Sequence, residues 1–407
     1  MNIAISPVKK IRGNIITPSS KSLTHRAIIC AVLASGVSVI DNILLSDDTL
    51  KTIEACRSFG ITITQKKDKL TIVGNGGILK APKNRINVGE SGTTLRFVTA
   101  LAALTKGKTM IRGIGRIPDR PMKELSDALE KLDGDGKIEI SGNTSSQFIS
   151  ALLLIAPFTK KKVEIIIKDV LVSEPYVSLT LEVMKHFGVS TKNENFKRFV
   201  IPADQRYKAA NYSIEGDFSS ASYFFAAAAV TGGEVIVSNL SHRSKQGDAV
   251  FLDLLQKMGC QVFKKDSVIK VIGSKNLHGI DVDMGSFPDL APSLSTVAAG
   301  ASGTTRITNI KHLRHKESDR IETIKQEFRK MGVVVNSDKT SLSITGGIVK
   351  GGIVDSHNDH RIAMSLAILG LNGKKETIIQ HAEVVSKSYP EFFNDLKKVG
   401  VSVKEVS

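Results

Sequence analysis

A repeated pattern organises the whole sequence. It consists of a large apolar residue followed by glycine, a short strand with alternating apolar residues, a polar turn and a second strand. A copy starting at Val399 has only one strand, and a copy starting at Leu132 lacks the first strand. Such self-similarity indicates one structural unit repeated along the chain, because stacked units bury apolar faces that a single unit leaves exposed. Four complete copies start at Phe59, Phe187, Met258 and Met331.

Two series of helices accompany the repeat. Amphipathic patterns precede the copies and predict helices near residues 47–59, 119–132, 174–187, 246–258, 316–331 and 388–399. A second series is apolar nearly all round, which is typical of buried helices. These helices should start near residues 22, 92, 145, 219, 288 and 359, about 70 residues apart with one shorter interval. Six units of strand, buried helix, strand, amphipathic helix and hairpin predict an α/β protein, most simply with two domains of three units.

The predicted starts of the buried helices carry serine, glycine, lysine and arginine. Serine and glycine there are ordinary helix caps, which is the simplest interpretation of residues 19–22, 89–94 and 144–147. Lys21 and Arg361, however, are cations at helix N-termini, where the helix dipole favours negative charge. Several helix starts of this kind predict a polyanion site, provided that the fold brings them to one cleft.

The sequence HKESDR, from His315 to Arg320, predicts the opening of a helix that ends before Gly332. Lys316 and Arg320 would then lie one turn apart in its first turn, where two cations repel each other and oppose the dipole. A bound anion would remove this mismatch. A solvated charged face is the alternative interpretation, and the six residues alone do not decide between the two.

Composition narrows the class of partner. The net charge of +16 is compatible with a nucleic-acid partner, with small polyanions or with solubility alone. The lysines are spread along the chain, and five Tyr with no Trp offer few platforms for base stacking, which weakens the nucleic-acid option. The three cysteines are scattered in apolar contexts, which predicts buried thiols and no metal site. No apolar run has membrane-spanning length and no targeting signal is evident, so we expect a soluble, cytoplasmic protein.

Short motifs in a fixed order carry a resemblance to a known family. Together they are similar to the EPSP synthase family, the 3-phosphoshikimate 1-carboxyvinyltransferases of the shikimate pathway, from about residue 4 to 400. They are PSSKSLTHR, GESGTTLRF, DRPM, SSQF, SEPY, EGDFSSASYF, FPD, HKESDR and NDHR, at residues 18–26, 89–97, 119–122, 145–148, 173–176, 215–224, 287–289, 315–320 and 358–361.

The resemblance implies a domain organisation and a reaction. One domain would comprise residues 20–215 and the other residues 1–19 with 216–407, joined by crossover strands near residues 19 and 215, and the two would close on the substrates. The implied reaction transfers the enolpyruvyl group of phosphoenolpyruvate to the 5-hydroxyl of shikimate 3-phosphate and releases phosphate, without metal or organic cofactor. The two substrates together carry a charge of about −6, which explains the need for many cations and N–H donors. We expect a monomer with no nucleic-acid or membrane partner.

The resemblance also implies binding residues. Arg320 and Arg361 should bind the carboxylate of phosphoenolpyruvate, a bidentate task for which lysine is a poor substitute. Residues expected around its phosphate are Lys21, Gly92, Arg120, Gln147 and Lys387. At shikimate 3-phosphate, Ser22 and Arg26 are expected to bind the carboxylate, and Ser145, Ser146 and Ser173 the phosphate. Tyr176 should lie against the ring, and the ring hydroxyls should be bound by Asp289, Gln147, Lys316 and His312, the last in place of a common Asn. Lys21 should lie near both substrates.

Four residues are the predicted catalytic groups. Asp289, assisted by Lys316, should take the proton of the 5-hydroxyl, and Glu317 should protonate the methylene carbon of phosphoenolpyruvate. Lys21 should protonate the departing phosphate. Because Lys316 and Arg320 favour the ionised form of Glu317, we hypothesise that it takes up its proton only when the substrate anions bind. Zero proton uptake on forming the ternary complex at neutral pH would contradict this.

Several alternatives stay open on the sequence. Asp289 could simply cap the helix that follows it, and Asp359 with His360 could only order Arg361. Glu90 replaces an Asn that is usual in the family, and how it avoids repelling an anion is not evident from the sequence. Asp48, Glu215, Asp217 and Asp248 are interpreted as caps or parts of the crossover strands, and Arg96 as a support behind the site.

Two other functions are conceivable for such a chain. The sister transferase that acts on UDP-N-acetylglucosamine shares the repeat fold, but it typically has a Cys in a loop that here, at residues 113–121, contains none. Its first loop typically has the sequence GAKN, where this chain has SSKS. A basic RNA-binding protein related to the RNA cyclases is the alternative from another class, and binding that weakens steeply with salt would support it.

Overall fold

The structure is a computed structural model of the chain and describes residues 1–132 and 136–406. The chain forms two compact units. We call Ser19–Glu215 the central unit, and Met1–Pro18 with Gly216–Ser407 the terminal unit. Each unit has its own hydrophobic core and is described by itself.

Twelve α-helices are present in the described residues. The apolar helices begin at residues 21, 92, 146, 218, 291 and 360, within three residues of the predicted starts, and are buried over most of their length. Their burial confirms the interpretation of the all-apolar patterns. The helices are α1 Lys21–Leu33, α2 Asp47–Ser58, α3 Gly92–Ala103, α4 Lys123–Leu132, α5 Ser146–Ile155, α6 Glu174–His186, α7 Phe218–Thr231, α8 Val250–Lys257, α9 Ala291–Ala299, α10 Arg320–Lys330, α11 His360–Gly370 and α12 Phe392–Lys398.

Short strands lie between the helices. Several hairpin turns use a polar residue in the left-handed region, with φ of 53° at Lys67 and 52° at Asp266, which suits the twist of a tight hairpin. The strands are β1 Asn2–Ile5, β2 Arg12–Ile16, β3 Ser35–Asp41, β4 Thr62–Lys66, β5 Lys69–Asn75, β6 Ile86–Asn87, β7 Ile111–Arg112, β8 Lys137–Ile140, β9 Val163–Ile167, β10 Lys192–Glu194, β11 Arg198–Ile201, β12 Asn211–Ser213, β13 Glu234–Ser238, β14 Gln261–Lys265, β15 Val268–Ile272, β16 Asp281–Asp283, β17 Thr304–Thr308, β18 Val334–Ser337, β19 Leu342–Thr345, β20 Gly352–Asp355, β21 Thr377–Gln380 and β22 Val403–Val406.

The sheets show the predicted repeat directly. Each four-stranded sheet joins one parallel pair to an antiparallel hairpin, in the orders β12-β3-β5-β4 and β8-β9-β11-β10 in the central unit. The terminal unit has the orders β2-β13-β15-β14, β16-β17-β19-β18 and β20-β21-β1-β22. The mixed α/β fold of repeated units is therefore confirmed.

The two incomplete copies are resolved differently. The strand after Val399, β22, pairs antiparallel with β1, so the start of the chain supplies the missing hairpin strand of the last sheet. The prediction that the copy at Leu132 lacks only its first strand is wrong for the described residues. There, β8 pairs parallel with β9 of the next unit, and the pair β6 and β7 has no described hairpin beside it. Residues 133–135 of this copy lie outside the described residues.

Buried apolar surface holds each unit together. In the central unit α1, α3 and α5 pack with α2 and α6, and in the terminal unit α7, α9 and α11 pack on one another. Fully burying one large apolar side chain contributes about 1.5–3 kcal/mol, so helices buried on all sides anchor their own first turns firmly. Cys30, Cys56 and Cys260 are buried free thiols, as predicted. None of the helices in the described ranges combines the length and apolar character that a membrane crossing requires.

Candidate active site

The central unit brings four helix N-termini together. Lys21 Nζ, at the start of α1, lies 3.1 Å from the Asp48 carboxylate at the start of α2. The Thr94 hydroxyl in the first turn of α3 donates to the Asp48 carbonyl at 3.2 Å, and Gln147 Nε2 at the start of α5 donates to the Thr93 hydroxyl at 3.0 Å. Because first turns expose N–H groups and the positive end of the dipole, this end of the unit suits an anion.

Serine side chains occupy the starts of α5 and α6. Ser145 caps α5, since its hydroxyl accepts from the Gln147 N–H at 3.3 Å, and Ser146 is the buried first residue of that helix. Ser173 precedes α6, is buried, and has the left-handed φ of 58°. The helices α5 and α6 pack against each other, so the structure places these three predicted phosphate-binding serines at the starts of neighbouring helices.

Arg26 ties α1 to α5 and α6. Its guanidinium donates to the Thr180 hydroxyl at 2.7 Å, to the Tyr176 carbonyl at 2.9 Å and to the Ser22 carbonyl at 2.9 Å. It also donates to the Ser150 hydroxyl at 3.4 Å and lies over the Phe97 ring. Burial lowers the pKa of Arg26 to about 10, so it remains protonated at neutral pH. These bonds place Arg26 directly behind Ser22 and Tyr176, the side chains predicted to contact the shikimate.

Gly92 leaves room for a guanidinium. A Cβ on this first residue of α3 would collide with Arg120 Nη1 and Arg96 Nη1. Arg96 donates to the Gly92 carbonyl at 3.0 Å and to the Pro121 carbonyl at 3.3 Å, which agrees with its interpretation as a support behind the site. The absence of a side chain at residue 92 therefore lets Arg120 lie against the N-terminus of α3.

Glu90 lies beside a glycine of the loop predicted to distinguish the sister transferase. A Cβ on Gly115, whose φ is 59°, would overlap the Glu90 carboxylate, so this loop residue must be small for the carboxylate to pack there. The contact places the unusual Glu90 against the backbone of the loop at residues 113–116. Glu90, which stands where the family usually has Asn, therefore packs against another part of the protein.

A buried hydrogen-bond chain beneath Lys21 was not predicted from the sequence. The His25 ring Nδ1 lies 2.7 Å from the Thr52 hydroxyl, which lies 2.7 Å from the Thr94 hydroxyl, which donates to the Ser91 hydroxyl at 2.7 Å. Burial, with the charge of Lys21, holds the pKa of His25 well below its ordinary value, so the ring is neutral. The chain fixes the first turns of α1, α2 and α3 to one another. The only sequence signal was the polar residues inside apolar helices.

The terminal unit gathers helix starts in the same way. The Ser222 hydroxyl of α7 donates to the Ser293 hydroxyl of α9 at 3.0 Å. Arg361, the second residue of α11, donates to the Asp289 carboxylate just before α9 at 2.8 Å. A second bond runs from Arg361 to the Asp289 carbonyl at 3.3 Å. The starts of α7, α9 and α11 therefore form one end of this unit.

The predicted helix from His315 is wrong in its first residues. A 3₁₀ segment covers Lys311–His315, Lys316 has extended backbone, and α10 begins only at Arg320. The physical reason is Asp319, whose carboxylate accepts from the Glu322 N–H at 3.1 Å and so caps the helix there. Lys316 and Arg320 therefore do not share a helical turn, and the repulsion argument does not apply to them.

Three carboxylates surround Arg320. Its guanidinium donates to Glu317 at 2.8 Å, to Asp359 at 2.8 Å and to Asp289 at 3.1 Å, and the side chain is only 1% exposed. Although burial alone lowers it, the pKa of Arg320 is held above its ordinary value by Asp359 and Glu317. Protein carboxylates thus satisfy the cation at this helix start, where the sequence had suggested an external anion.

Asp289 bridges the two site arginines. Burial alone raises its pKa, but Arg361, Lys316 and Arg320 hold that pKa well below the ordinary value for an aspartate. The alternative that Asp289 only caps the next helix is not supported, because α9 and the 3₁₀ turn before it begin without a capping side chain in the described part of the chain. Asp289 is therefore an ionised carboxylate aimed at the gathered helix starts.

Asp359 orders both arginines. It caps α11 by accepting from the Arg361 N–H at 2.9 Å, and it also accepts from Arg320 and from the Ser318 hydroxyl at 3.1 Å. Asp359 thus fixes the helix start that carries Arg361 through a backbone bond, and its side-chain bonds order the guanidinium of Arg320. Lys387 Nζ donates to the Asn358 carbonyl at 2.8 Å in the same segment.

Two further groups lie near this end of the terminal unit. Burial, with the charge of Lys316, lowers the pKa of His312 to about 3, and its Nε2 has no hydrogen-bond partner among the described residues. A neutral ring with an unused nitrogen is suited to a ligand hydroxyl. Burial and the nearby Asp289 raise the pKa of Asp248 to about 6, and this carboxylate bonds the Ser219 hydroxyl of α7. Asp217 caps α7, as predicted.

Comparisons with known proteins agree along the whole chain. A family model described as EPSP synthase (3-phosphoshikimate 1-carboxyvinyltransferase) matches residues 5–396. Proteins named 3-phosphoshikimate 1-carboxyvinyltransferase are similar: one from Methanobrevibacter smithii is 38% identical, with 99% of this chain and 100% of the relative covered. One from Methanococcoides burtonii is 43% identical, with 97% of each covered. The solved EPSP synthase of Acinetobacter baumannii superimposes with a TM-score of 0.83 at 26% identity, covering 99% of this chain and 100% of that one.

Proposed function

Because the chain belongs to the EPSP synthase family, we propose that it transfers the enolpyruvyl group of phosphoenolpyruvate to the 5-hydroxyl of shikimate 3-phosphate and releases phosphate. The observation that carries the proposal is the match over residues 5–396 in a chain whose two units each gather helix N-termini around motif residues. Both substrates are small polyanions, which suits helix N-termini and a net charge of +16.

The central unit supplies the phosphate-binding groups in this proposal. Ser145, Ser146 and Ser173 bind the phosphate of shikimate 3-phosphate with their hydroxyls and neighbouring N–H groups. The Ser22 hydroxyl and Arg26 bind its carboxylate, and Tyr176 packs on the ring. Support comes from the placement of these serines at the starts of adjacent helices.

The phosphate of phosphoenolpyruvate is assigned to a second set of groups. Lys21 and Gln147, at the starts of α1 and α5, and Arg120 beside Gly92 bind it from the central unit. Lys387 is assigned to the same phosphate by its motif position. Charge-assisted hydrogen bonds to phosphate are about twice as strong as neutral ones, so lysine and arginine dominate this part of the proposal.

The terminal unit binds the carboxylate of phosphoenolpyruvate with Arg320 and Arg361. Both guanidiniums are held in place by Asp289, and Arg320 also by Asp359, so their forks are ordered before the substrate arrives. A preformed fork spares the entropy of ordering a long side chain at binding. His312 and Lys316 hold ring hydroxyls of the shikimate.

The chemical steps follow from the same groups. Glu317 transfers its proton to the methylene carbon of phosphoenolpyruvate, while the 5-hydroxyl oxygen attacks the neighbouring carbon and gives its proton to Asp289, assisted by Lys316. The tetrahedral intermediate then loses phosphate, to which Lys21 gives a proton, and the new methyl group returns a proton to Glu317. Asp289 passes its proton to Lys21 through solvent, so every group is restored.

The ion pair of Glu317 with Arg320 bears on the proton donor. At 2.8 Å the guanidinium favours the carboxylate form of Glu317. We infer that the substrate carboxylate takes over N–H groups of Arg320 and adds negative charge, so that Glu317 gains its proton when the ternary complex forms. Titration in weakly buffered solution, which measures proton uptake on adding both substrates, tests this directly.

The decisive experiment is phosphate release from phosphoenolpyruvate, measured with and without shikimate 3-phosphate. We expect release only in its presence, and a loss of about 10²- to 10⁴-fold in the Glu317→Gln variant, the range typical of a lost general acid. Release that does not depend on the shikimate would overturn the assignment. Release that depends on UDP-N-acetylglucosamine would indicate the sister transferase, which the family match does not favour.

We also propose that the active form is a monomer, because all the assigned groups come from one chain. Sedimentation velocity under assay conditions tests this. A stable dimer that loses activity on dilution would contradict it.

A further inference from the structure

Glu327 is a buried carboxylate outside the assigned site. It lies near the end of α10, and its side chain is only 1% exposed. Its oxygens accept from the Asp355 N–H at 3.0 Å, from Lys330 Nζ at 2.8 Å and 2.9 Å, and lie 2.7 Å from His357 Nε2. Two of these partners belong to the segment Asp355 to Asp359, which joins β20 to α11.

The helix α10 therefore holds this segment at two points. Arg320 and Glu327 are seven residues apart, which is two turns, so they lie on one face of the helix. Arg320 bonds Asp359 at the end of the segment, and Glu327 bonds its beginning. Because the helix is rigid and bonds both ends of the segment, it fixes the position of the residues from Asp355 to Asp359.

The segment needs stabilising contacts at both ends because its backbone conformation is unfavourable. His357 and Asn358 have φ of 49° and 57°, so two successive residues other than glycine lie in the left-handed region. Conformations of this kind persist only where surrounding contacts determine them. Further bonds of the segment are more local: the Asp355 carboxylate accepts from the His357 N–H, and the Ser356 hydroxyl donates to the carbonyl of His381, just after β21, at 3.1 Å.

The segment contacts or directly precedes three groups of the assigned phosphoenolpyruvate site, Lys387, Arg320 and Arg361. The Asn358 carbonyl accepts from Lys387, and Asp359 accepts from Arg320. Arg361 follows in the first turn of α11, which Asp359 caps. A shift of the segment would therefore move all three cations together, and none of the groups assigned to shikimate 3-phosphate in the central unit belongs to it.

The ion pair with Lys330 does not explain why the Glu327 carboxylate is buried. The Lys330 side chain is 53% exposed, and exposed pairs contribute about 0–1 kcal/mol. Burying a carboxylate for such a pair is unfavourable. The Asp355 N–H and the His357 ring, which a carboxylate can bond at once, account for the presence of an acid here.

We propose that Glu327 is a positioning residue for phosphoenolpyruvate, acting through the segment Asp355 to Asp359 on Arg320, Arg361 and Lys387. The inference rests on the proposed function, because it concerns the binding of one of its two substrates. It predicts a selective effect. Loss of the Glu327 carboxylate weakens the binding of phosphoenolpyruvate and leaves that of shikimate 3-phosphate nearly unchanged.

The test compares Glu327→Gln with Lys330→Met in the full chain. Glu327→Gln should raise KM for phosphoenolpyruvate about tenfold, the factor to which 1.4 kcal/mol corresponds, and change KM for shikimate 3-phosphate by less than about twofold. Lys330→Met removes the exposed ion pair and keeps the bonds to the segment, so both KM values should stay within about twofold of wild type. Circular dichroism and melting curves report whether each variant folds.

A second pair of variants separates positioning from general destabilisation. His357→Gln keeps an N–H donor at a similar reach and should retain most of the affinity for phosphoenolpyruvate. His357→Leu cannot donate and should raise KM for phosphoenolpyruvate severalfold. If Glu327→Gln or His357→Leu lowers the melting temperature but changes both KM values equally, or changes neither, the inference is wrong. A wild-type protein without shikimate-dependent phosphate release would overturn the proposed function and this inference together, whereas an active wild type with an unchanged Glu327→Gln would overturn the inference alone.

Discussion

The two units satisfy their buried site arginines, Arg26 and Arg320, by different chemistry. In the central unit the buried Arg26 donates to two carbonyls and two hydroxyls, all of them neutral acceptors. In the terminal unit the buried Arg320 donates to three carboxylates. A buried guanidinium needs partners in either case, but only the second arrangement surrounds it with ionised acids.

The difference indicates a division of labour. Neutral donors and helix N-termini can hold a phosphate without exchanging protons with it. Carboxylates beside arginines can accept or give protons and also keep the arginines ordered. Each charged group of such a cluster, however, needs the others to remain stable when buried. Removing one hydroxyl in the central unit should therefore have a small effect, and removing one charged group in the terminal unit a large one.

The largest expected effect is on the reaction rate. Asp289→Asn keeps the shape of the side chain but removes the proposed base, so kcat should fall about 10²- to 10⁴-fold. Ser146→Ala, the matched change in the central unit, removes one neutral donor and should cost about tenfold or less in kcat/KM. Steady-state phosphate release measures both. Equal losses in the two variants would contradict the division between the units.

The next effect is on stability. Arg320→Met leaves the buried Asp359 and the partly buried Asp289 and Glu317 without their shared cation, and the free energy of unfolding should fall by about 3–5 kcal/mol. Arg26→Met leaves only neutral acceptors unpaired, for which about 1–3 kcal/mol is expected. Urea unfolding followed by circular dichroism measures both variants. The comparison fails if Arg26→Met is the more damaging change.

The same contrast explains what the sequence could predict. The starts of α1, α3 and α5 follow from local signals, because Ser20, Ser91 and Ser145 are capping residues that directly precede apolar runs. The topology of the repeated sheets follows from the hairpin pattern. In the central unit, where local caps build the site, the sequence therefore predicts most of its framework.

The carboxylate cluster could not be predicted in this way. Asp289, Glu317 and Asp359 come from three separate segments, and only the tertiary fold brings them to Arg320. The predicted helix included HKESDR, which has no apolar residue of its own, whereas in the structure Asp319 caps the helix and α10 begins at Arg320. Likewise, nothing in the local sequence indicates that β1 pairs with β22.

Opposite pH dependences should distinguish the units. Burial raises the pKa of Asp248 in the terminal unit to about 6, so its stabilising protonated form is fully present below the unfolded pKa near 4 and is lost as the pH rises through about 6. The Asp248→Asn variant does not undergo this loss. Between about pH 4 and pH 7 its free energy of unfolding should therefore rise by about 3 kcal/mol relative to that of wild type. Unfolding free energies of both proteins across this range give the difference.

The contribution of His25, in the central unit, to stability should depend on pH in the opposite direction. Burial holds its pKa well below the ordinary value, so the neutral ring stabilises the protein above the unfolded pKa near 6.5, and this contribution is lost as the pH falls. His25→Asn, which keeps a polar atom near Thr52, should therefore gain stability relative to wild type on acidification. Parallel pH curves for the Asp248 and His25 variants would show that burial does not govern the two groups as proposed.

The smallest effect tests the contact of the Arg120 guanidinium with the start of α3 in the central unit. In Gly92→Ala the added methyl group would collide with the ends of two arginine side chains, the partly exposed Arg120, which can move aside, and the buried Arg96, of which only the guanidinium end is met. Stability should therefore change by less than about 1 kcal/mol, while KM for phosphoenolpyruvate rises about tenfold because Arg120 is displaced. Gly347→Ala is the control, since a Cβ there meets nothing within 4 Å.

The Gly92→Ala outcome also decides how the central unit tolerates change. If the variant unfolds more easily but binds phosphoenolpyruvate normally, Arg96 and Arg120 cannot move, and this helix start is as tightly determined as the carboxylate cluster around Arg320. If affinity falls at unchanged stability, the central unit holds its anion site with movable cations on a fixed helix framework. A framework of that kind is expected where neutral donors, which carry no buried charge to protect, set the positions of the binding groups.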